Sequence, residues 1–92
     1  MKHILIKKAK DNVGNAIEYI AKGELFQWEI AQKYYELIAI TDVPFAFKVA
    51  VKDITKGEVV ICYGEPIGLA SADIAAGECV HVHNLQGKRG NS

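Results

Sequence analysis

Two stretches of this chain carry the same pattern, and that repeat limits the folds open to it more than any other feature. Asp53-Ile54-Thr55-Lys56-Gly57-Glu58-Val59-Val60 and Asp73-Ile74-Ala75-Ala76-Gly77-Glu78-Cys79-Val80 both read Asp-Ile-x-x-Gly-Glu-x-Val, 20 residues apart. A fainter copy, Ile20-Ala21-Lys22-Gly23-Glu24, stands earlier. Each unit reads as a tight turn that feeds a strand. The Asp caps the turn through its own backbone, the Ile plugs into the core, and the Gly takes a positive φ that strains residues with a side chain. Two clear units are too few for a solenoid, which needs three or more. The pattern points instead to a pseudo-symmetric β-structure of folded-over hairpins.

The other apolar runs are short and mostly β-like. Ile4 and Ile6 share one face of a first strand over residues 2–8, whose flanking lysines suit a sheet edge. Phe26, Trp28 and Ile30 alternate, and residues 34–40 are rich in aromatic and branched side chains, so residues 25–40 read as two strands. A helix over residues 28–37 is the alternative. Asp42-Val43-Pro44 breaks whatever precedes it. Further strands are expected over residues 47–51, 59–63 and 79–85, with Gly57, Gly64, Gly68 and Gly77 supplying turns. One helix is expected near the N-terminus. Asp11-Asn12 provides its cap, Val13, Ala16, Ile17, Ile20 and Ala21 its apolar stripe, and Gly23 its end. Gly14 within that helix costs about 1 kcal/mol against alanine, so it implies close approach of another group. The expected fold is mainly β with a minor α part, as a single domain over residues 1–92.

Charge and composition exclude several functions. Eleven basic and eleven acidic residues leave a net charge of zero, without the basic face that nucleic acid requires. The basic pair Lys88-Arg89 reads as a solvated tail. Met1-Lys2-His3 leads into only three apolar residues, so no secretion signal is expected. No apolar run approaches the ~20 residues of a membrane helix. Cys62 and Cys79 lie outside any CxxC motif and are expected to be reduced and packed, with the cytoplasm as the expected location. The chain has no phosphate-binding loop, no nucleophile elbow and no paired cysteines for structural zinc.

The tetrad His81-Val82-His83-Asn84 carries the most chemical information. On a strand, His81 and His83 would face one way and Val80 and Val82 would face the core. Paired imidazoles can ligate a transition metal, bind a carboxylate or shuttle protons. Spacing alone reads them first as two polar residues on the wet face of a strand. Cys79 would share their face and complete a soft metal site, or pack as a small buried thiol. Asp11 and Asn12 cap the expected helix, or hold a carboxylate at its positive end. Lys48 is a surface lysine or a grip for an anionic substrate. Tyr63-Gly64 reads as a strand end that packs its ring.

Residues 48–54, then Gly57-Glu58-Val59-Val60-Ile61, Tyr63-Gly64, Ile67-Gly68, Ala70, Asp73-Ile74, Gly77-Glu78 and Val80-His81-Val82-His83-Asn84, resemble the SAF, or β-clip, domain of the altronate/galactarate dehydratase family. Asp11-Asn12-Val13 is similar to that family's opening motif. The resemblance implies a β-clip arrangement of short folded hairpins. It implies the separately encoded small subunit of a metal-dependent sugar-acid dehydratase, inactive alone and paired with a large catalytic subunit. The sulfolactate sulfo-lyase small subunit is of the same type. The implied chemistry is proton removal beside a carboxylate and loss of a β-substituent, with a base on the large subunit. A divalent metal, expected to be Fe2+ and held jointly with that subunit, would act as a Lewis acid. His81 and His83 would then be catalytic groups or metal ligands, and Asp11, Asn12, Lys48 and Asn84 would bind substrate.

One departure stands out. The family usually shows Gly-His-Lys where this chain has Ala46-Phe47-Lys48. Loss of that histidine raises a second reading, a non-catalytic module that binds a sugar acid or a partner protein. A third is an enzyme assembled between copies of this chain, for which unpaired strand edges would provide contacts.

Overall fold

The computed structural model describes residues 1–87, so the Lys88-Arg89 pair lies outside the described residues. It contains nine strands: β1 (Lys2–Leu5), β2 (Val13–Ala16), β3 (Leu25–Ile30), β4 (Lys33–Ile38), β5 (Lys48–Ala50), β6 (Val59–Cys62), β7 (Glu65–Ala70), β8 (Cys79–Val80) and β9 (Leu85–Gly87). They form a six-stranded sheet in the order β4-β3-β1-β2-β5-β8 and a three-stranded sheet in the order β6-β7-β9. Two apolar clusters fill the interior. Ile4, Ile20, Phe26, Trp28, Val43 and Val49 belong to the first. Val13, Ile54, Val60, Ile74 and Val80 belong to the second.

The expected N-terminal helix does not form. Residues 13–16 are strand β2, antiparallel to both β1 and β5. Gly14 explains the choice. A Cβ there would meet Ile4 Cδ1 and Ile6 Cγ1 at 2.7 Å each, so the bare backbone is what lets β1 approach. Ile17, assigned to the helical stripe, is exposed. Strand β1 is not an edge either, because β3 pairs with its other side in parallel. The two expected strands over residues 25–40 do form, as the β3–β4 hairpin.

The repeat is fourfold, and its fourth member is Val43-Pro44-Phe45-Ala46-Phe47. The units centred on Ile20 and Val43 face each other, as do those on Ile54 and Ile74, each pair joined by an antiparallel bridge. Both main-chain bonds of each bridge are 2.8–2.9 Å. Four residues before each centre stands a buried alanine: Ala16, Ala39, Ala50 and Ala70. The carbonyl of each accepts from the third residue after the opposite centre: Ala46, Gly23, Gly77 and Gly57 respectively. The result is two reciprocal clasps.

The acidic residues close these clasps in a way the pattern alone did not show. The Asp of a unit does not cap its own turn. Asp53 accepts from the Ala76 amide, Asp73 from Lys56 and Asp42 from Lys22, each across to the facing unit. The glutamate closes the turn within its own unit. Glu24, Glu58 and Glu78 accept from the amides of Ala21, Thr55 and Ala75. The Ala21 amide, and after it Lys2, hold the Glu24 carboxyl below its usual range.

Strand β7 was not expected, and Gly68 within it is no turn residue. A Cβ there would lie 2.2 Å from the Gln86 carbonyl oxygen, so Gly68 admits β9. The β3–β4 turn gives a direct test of turn chemistry. Ala31 and Gln32 sit at φ 51° and 68°, the left-handed pair that Asn-Gly fills with least strain. Ala31→Asn with Gln32→Gly is expected to raise stability by about 1–2 kcal/mol, read as a higher urea midpoint. An unchanged midpoint would mean the turn is not of this type.

Candidate functional site

The histidines do not lie on a strand. Strand β8 ends at Val80, and residues 81–84 form a turn that crosses from the first sheet to β9 of the second. The residue that makes this turn is Asn84, which is 2 % exposed. Its Oδ1 accepts from the His81 amide at 2.9 Å, and its Nδ2 donates to the Cys79 carbonyl at 3.0 Å. Its own amide donates to the His81 carbonyl, and its carbonyl accepts from the Ser71 amide. Asparagine suits such a position because its short amide mimics a peptide group. Val82, expected to face the core, is instead 80 % exposed at the tip. His81 and His83 are exposed on either side of it, while Val80 is buried as expected.

Lys48 and His81 come together. Lys48 pairs with Val80 across β5 and β8. Lys48, Val80, His81, Val82, Leu85 and Gly87 line a shallow recess of about 270 Å3. Behind it the Phe47 ring stacks on the His81 imidazole, with centroids 4.2 Å apart and planes inclined by 30°. The recess thus combines a cation, an exposed imidazole stacked on Phe47 and an apolar wall, which suits a small carboxylate. His83 is not among the residues that line it.

Asp11 and Asn12 are placed elsewhere and are fully engaged. No helix follows them to be capped. Oδ2 of Asp11 accepts from the Lys7 and Lys8 amides at 3.1 Å each, and Oδ1 accepts from the Gly64 amide at 2.7 Å. Asn12 pairs with β6 like an extra strand residue, accepting from the Ile61 amide and donating to the Val59 carbonyl. Both therefore tie the first sheet to the β6–β7 hairpin. Lys7 also lies over the Tyr63 ring at the tip of that hairpin, 5.0 Å from its centre. Asp11→Asn turns an amide nitrogen toward converging donors, and it is expected to cost about 2–3 kcal/mol of stability. Denaturant unfolding reads this directly, and an unaltered midpoint would show that Asp11 does not tie the sheets.

Cys79 does not share a face with the histidines. It is buried in the first apolar cluster, and burial, with a smaller contribution from Glu78, pushes its thiol above the usual range. It and Cys62 are free and buried. Among the described residues, no three His, Cys, Asp or Glu side chains gather as a metal site. No helix among them is long and apolar enough to cross a membrane. Phe47 is the site feature the histidine motif alone does not reveal. Its signal was the Ala46-Phe47-Lys48 departure, but that gave no hint of contact with His81.

The described residues define a strand-only domain that presents histidines on a short, tied turn. Its relatives are lyases. Altronate dehydratase of Escherichia coli (strain K12) is 44 % identical over 78 residues, covering 85 % of this chain and 15 % of that protein. Altronate dehydratase of Bacillus subtilis (strain 168) is 35 % identical over 87 residues, covering 94 % and 16 %. The chain therefore spans about a sixth of these dehydratases. The (2R)-sulfolactate sulfo-lyase subunit alpha of Chromohalobacter salexigens is 33 % identical over 88 residues, and here the match covers 92 % of this chain and 94 % of the relative. The altronate/galactarate dehydratase SAF domain matches residues 2–88, and this chain belongs to that family.

Proposed function

We propose that this chain is the small subunit of a carbon–oxygen lyase acting on a sugar acid, and that its recess forms one wall of a site completed by a larger catalytic subunit. The observation that carries this reading is the match along 94 % of a relative that is itself a subunit, the sulfo-lyase alpha chain. The recess supports it as well, because Lys48 and His81 line it together.

In such an elimination a base on the larger subunit takes a proton from the carbon beside a carboxylate, and the hydroxyl on the next carbon leaves as water. The Lys48 ammonium would receive the carboxylate. His81 would hand a proton to the departing oxygen, a transfer suited to an imidazole near neutral pH. His83, on the other side of Val82, would face the partner and contact substrate oxygens from there. Asn84 would serve the site by holding the turn of residues 81–84, while Asp11 and Asn12 tie the two sheets together away from it. The described residues do not fit a divalent metal by themselves, since only two imidazoles are near one another in sequence and no third ligand joins them. A ferrous ion would have to draw its remaining ligands from the larger subunit.

The test is recovery of the tagged chain from its native cells, with the eluate assayed on altronate, galactarate and sulfolactate, with and without ferrous iron. A co-purifying larger chain with turnover of altronate or galactarate is the expected result, whereas sulfite release from sulfolactate would make the chain the small subunit of a sulfo-lyase instead. The chain recovered alone, or with a partner but inert on all three acids, would favour the binding-module reading. Phe47 in the place of the family's histidine is the observation behind that alternative.

A further inference from the structure

Phe47 owes its position to a break in the fourfold repeat. In three units the first turn residue donates its amide to the glutamate three positions on: Ala21 to Glu24, Thr55 to Glu58 and Ala75 to Glu78. In the fourth unit the first turn residue is Pro44, which has no amide to donate. The main-chain turn is otherwise the same, since the Phe47 amide donates to the Pro44 carbonyl at 3.0 Å, as Glu24, Glu58 and Glu78 do to their counterparts. A carboxylate would have nothing to close there. The position is released from the turn, and its side chain reaches out to the His81 ring.

The residue before it reinforces the point. The other units place glycine at φ 92°, but this one holds Ala46 at φ 73°. The left-handed basin is much narrower for alanine than for glycine. Ala46 therefore narrows the directions in which residue 47 can leave the turn. Among the described residues no hydrogen bond holds the His81 side chain, so the Phe47 stack is the contact that orients it.

We infer that Phe47 is the positioning residue of this site: it fixes the direction of the His81 imidazole beside Lys48, and Pro44 is the substitution that frees it to do so. The inference rests on the placement of His81 in the lyase site above.

Its test begins with the imidazole C–H signals of the full chain by NMR. The His81 signals are expected upfield of those of His3 and His83, because the Phe47 ring current acts on them alone. Phe47→Leu is expected to abolish that displacement and Phe47→Tyr to keep it. Phe47 also packs on the core, so a second variant guards against misfolding. Pro44→Ala combined with Phe47→Glu restores the amide and carboxylate of the other three units. It is expected to fold like wild type and to lose the His81 displacement. In the complex with the large subunit, Phe47→Leu and the double variant are expected to lower kcat about tenfold or more with KM little changed, as for a misdirected catalytic group. Phe47→Tyr should restore most of the rate. An undisplaced His81 signal in wild type overturns the inference, as does full turnover by Phe47→Leu when His81→Gln is inactive. If His81→Gln itself is fully active, the placement of His81 in the site fails and the inference falls with it.

Discussion

Gly77→Ala is expected to destabilise the chain by about 3–5 kcal/mol, while the same change at Gly57 costs about 1 kcal/mol. Both glycines occupy the same turn position, at φ 92°. The local strain of an alanine is therefore the same, and Ala46 shows that the turn tolerates one. What differs is the neighbourhood. A Cβ at Gly57 has nothing within 4 Å, but at Gly77 it would lie 2.4 Å from the Ile38 carbonyl oxygen and 3.5 Å from the Ile40 nitrogen. The Gly77 carbonyl accepts from the Ile40 amide at 3.0 Å, so this is where the two clasps touch. Main chain cannot step aside as a flexible side chain can. Urea unfolding of the two variants side by side is the measurement. Equal costs would mean that the clasps do not meet at Gly77.

His81→Gln is expected to reduce turnover of the assembled enzyme by about 10²–10⁴-fold, the usual loss on removing a general acid or base. Glutamine keeps a polar, hydrogen-bonding side chain but cannot carry a proton near neutral pH. The imidazole is exposed, and the turn is closed by the main chain of His81 rather than its ring, so the unfolding midpoint should hardly move. His83→Gln, outside the recess, is expected to act more weakly. Steady-state rates of the two variants with the large subunit decide the matter. A His81→Gln complex with wild-type turnover would remove the imidazole from the reaction.

The β3–β4 hairpin could be read from the sequence because Phe26 and Trp28 are buried and alternate with less buried neighbours. The helix was misread for a definite reason. Val13, Ala16 and Ile20 are spaced as on a helix, but the same spacing arises when a short strand runs into a bridging turn. Gly14 and Asn15 in its first turn are poor helix residues, and they carried the better signal. Strand β7 was hidden by Pro66 and Gly68, which usually punctuate strands. Pro66 lies beside a shift in register, and Gly68 admits the neighbouring strand β9. The fourth repeat unit was hidden because Ala46 and Phe47 replace both of its diagnostic residues. The grouping of Lys48 with His81 depends on cross-strand register between distant segments, which no local pattern records. The turn at residues 81–84 could have been recognised from Asn84, whose amide commonly closes a loop on itself.

The two sheets are joined at several places, and the shortest link is the four-residue turn from Val80 to Leu85. So short a connection has little slack. The imidazoles of His81 and His83 therefore stand at the junction of the two sheets, on the link with the least length to absorb relative movement.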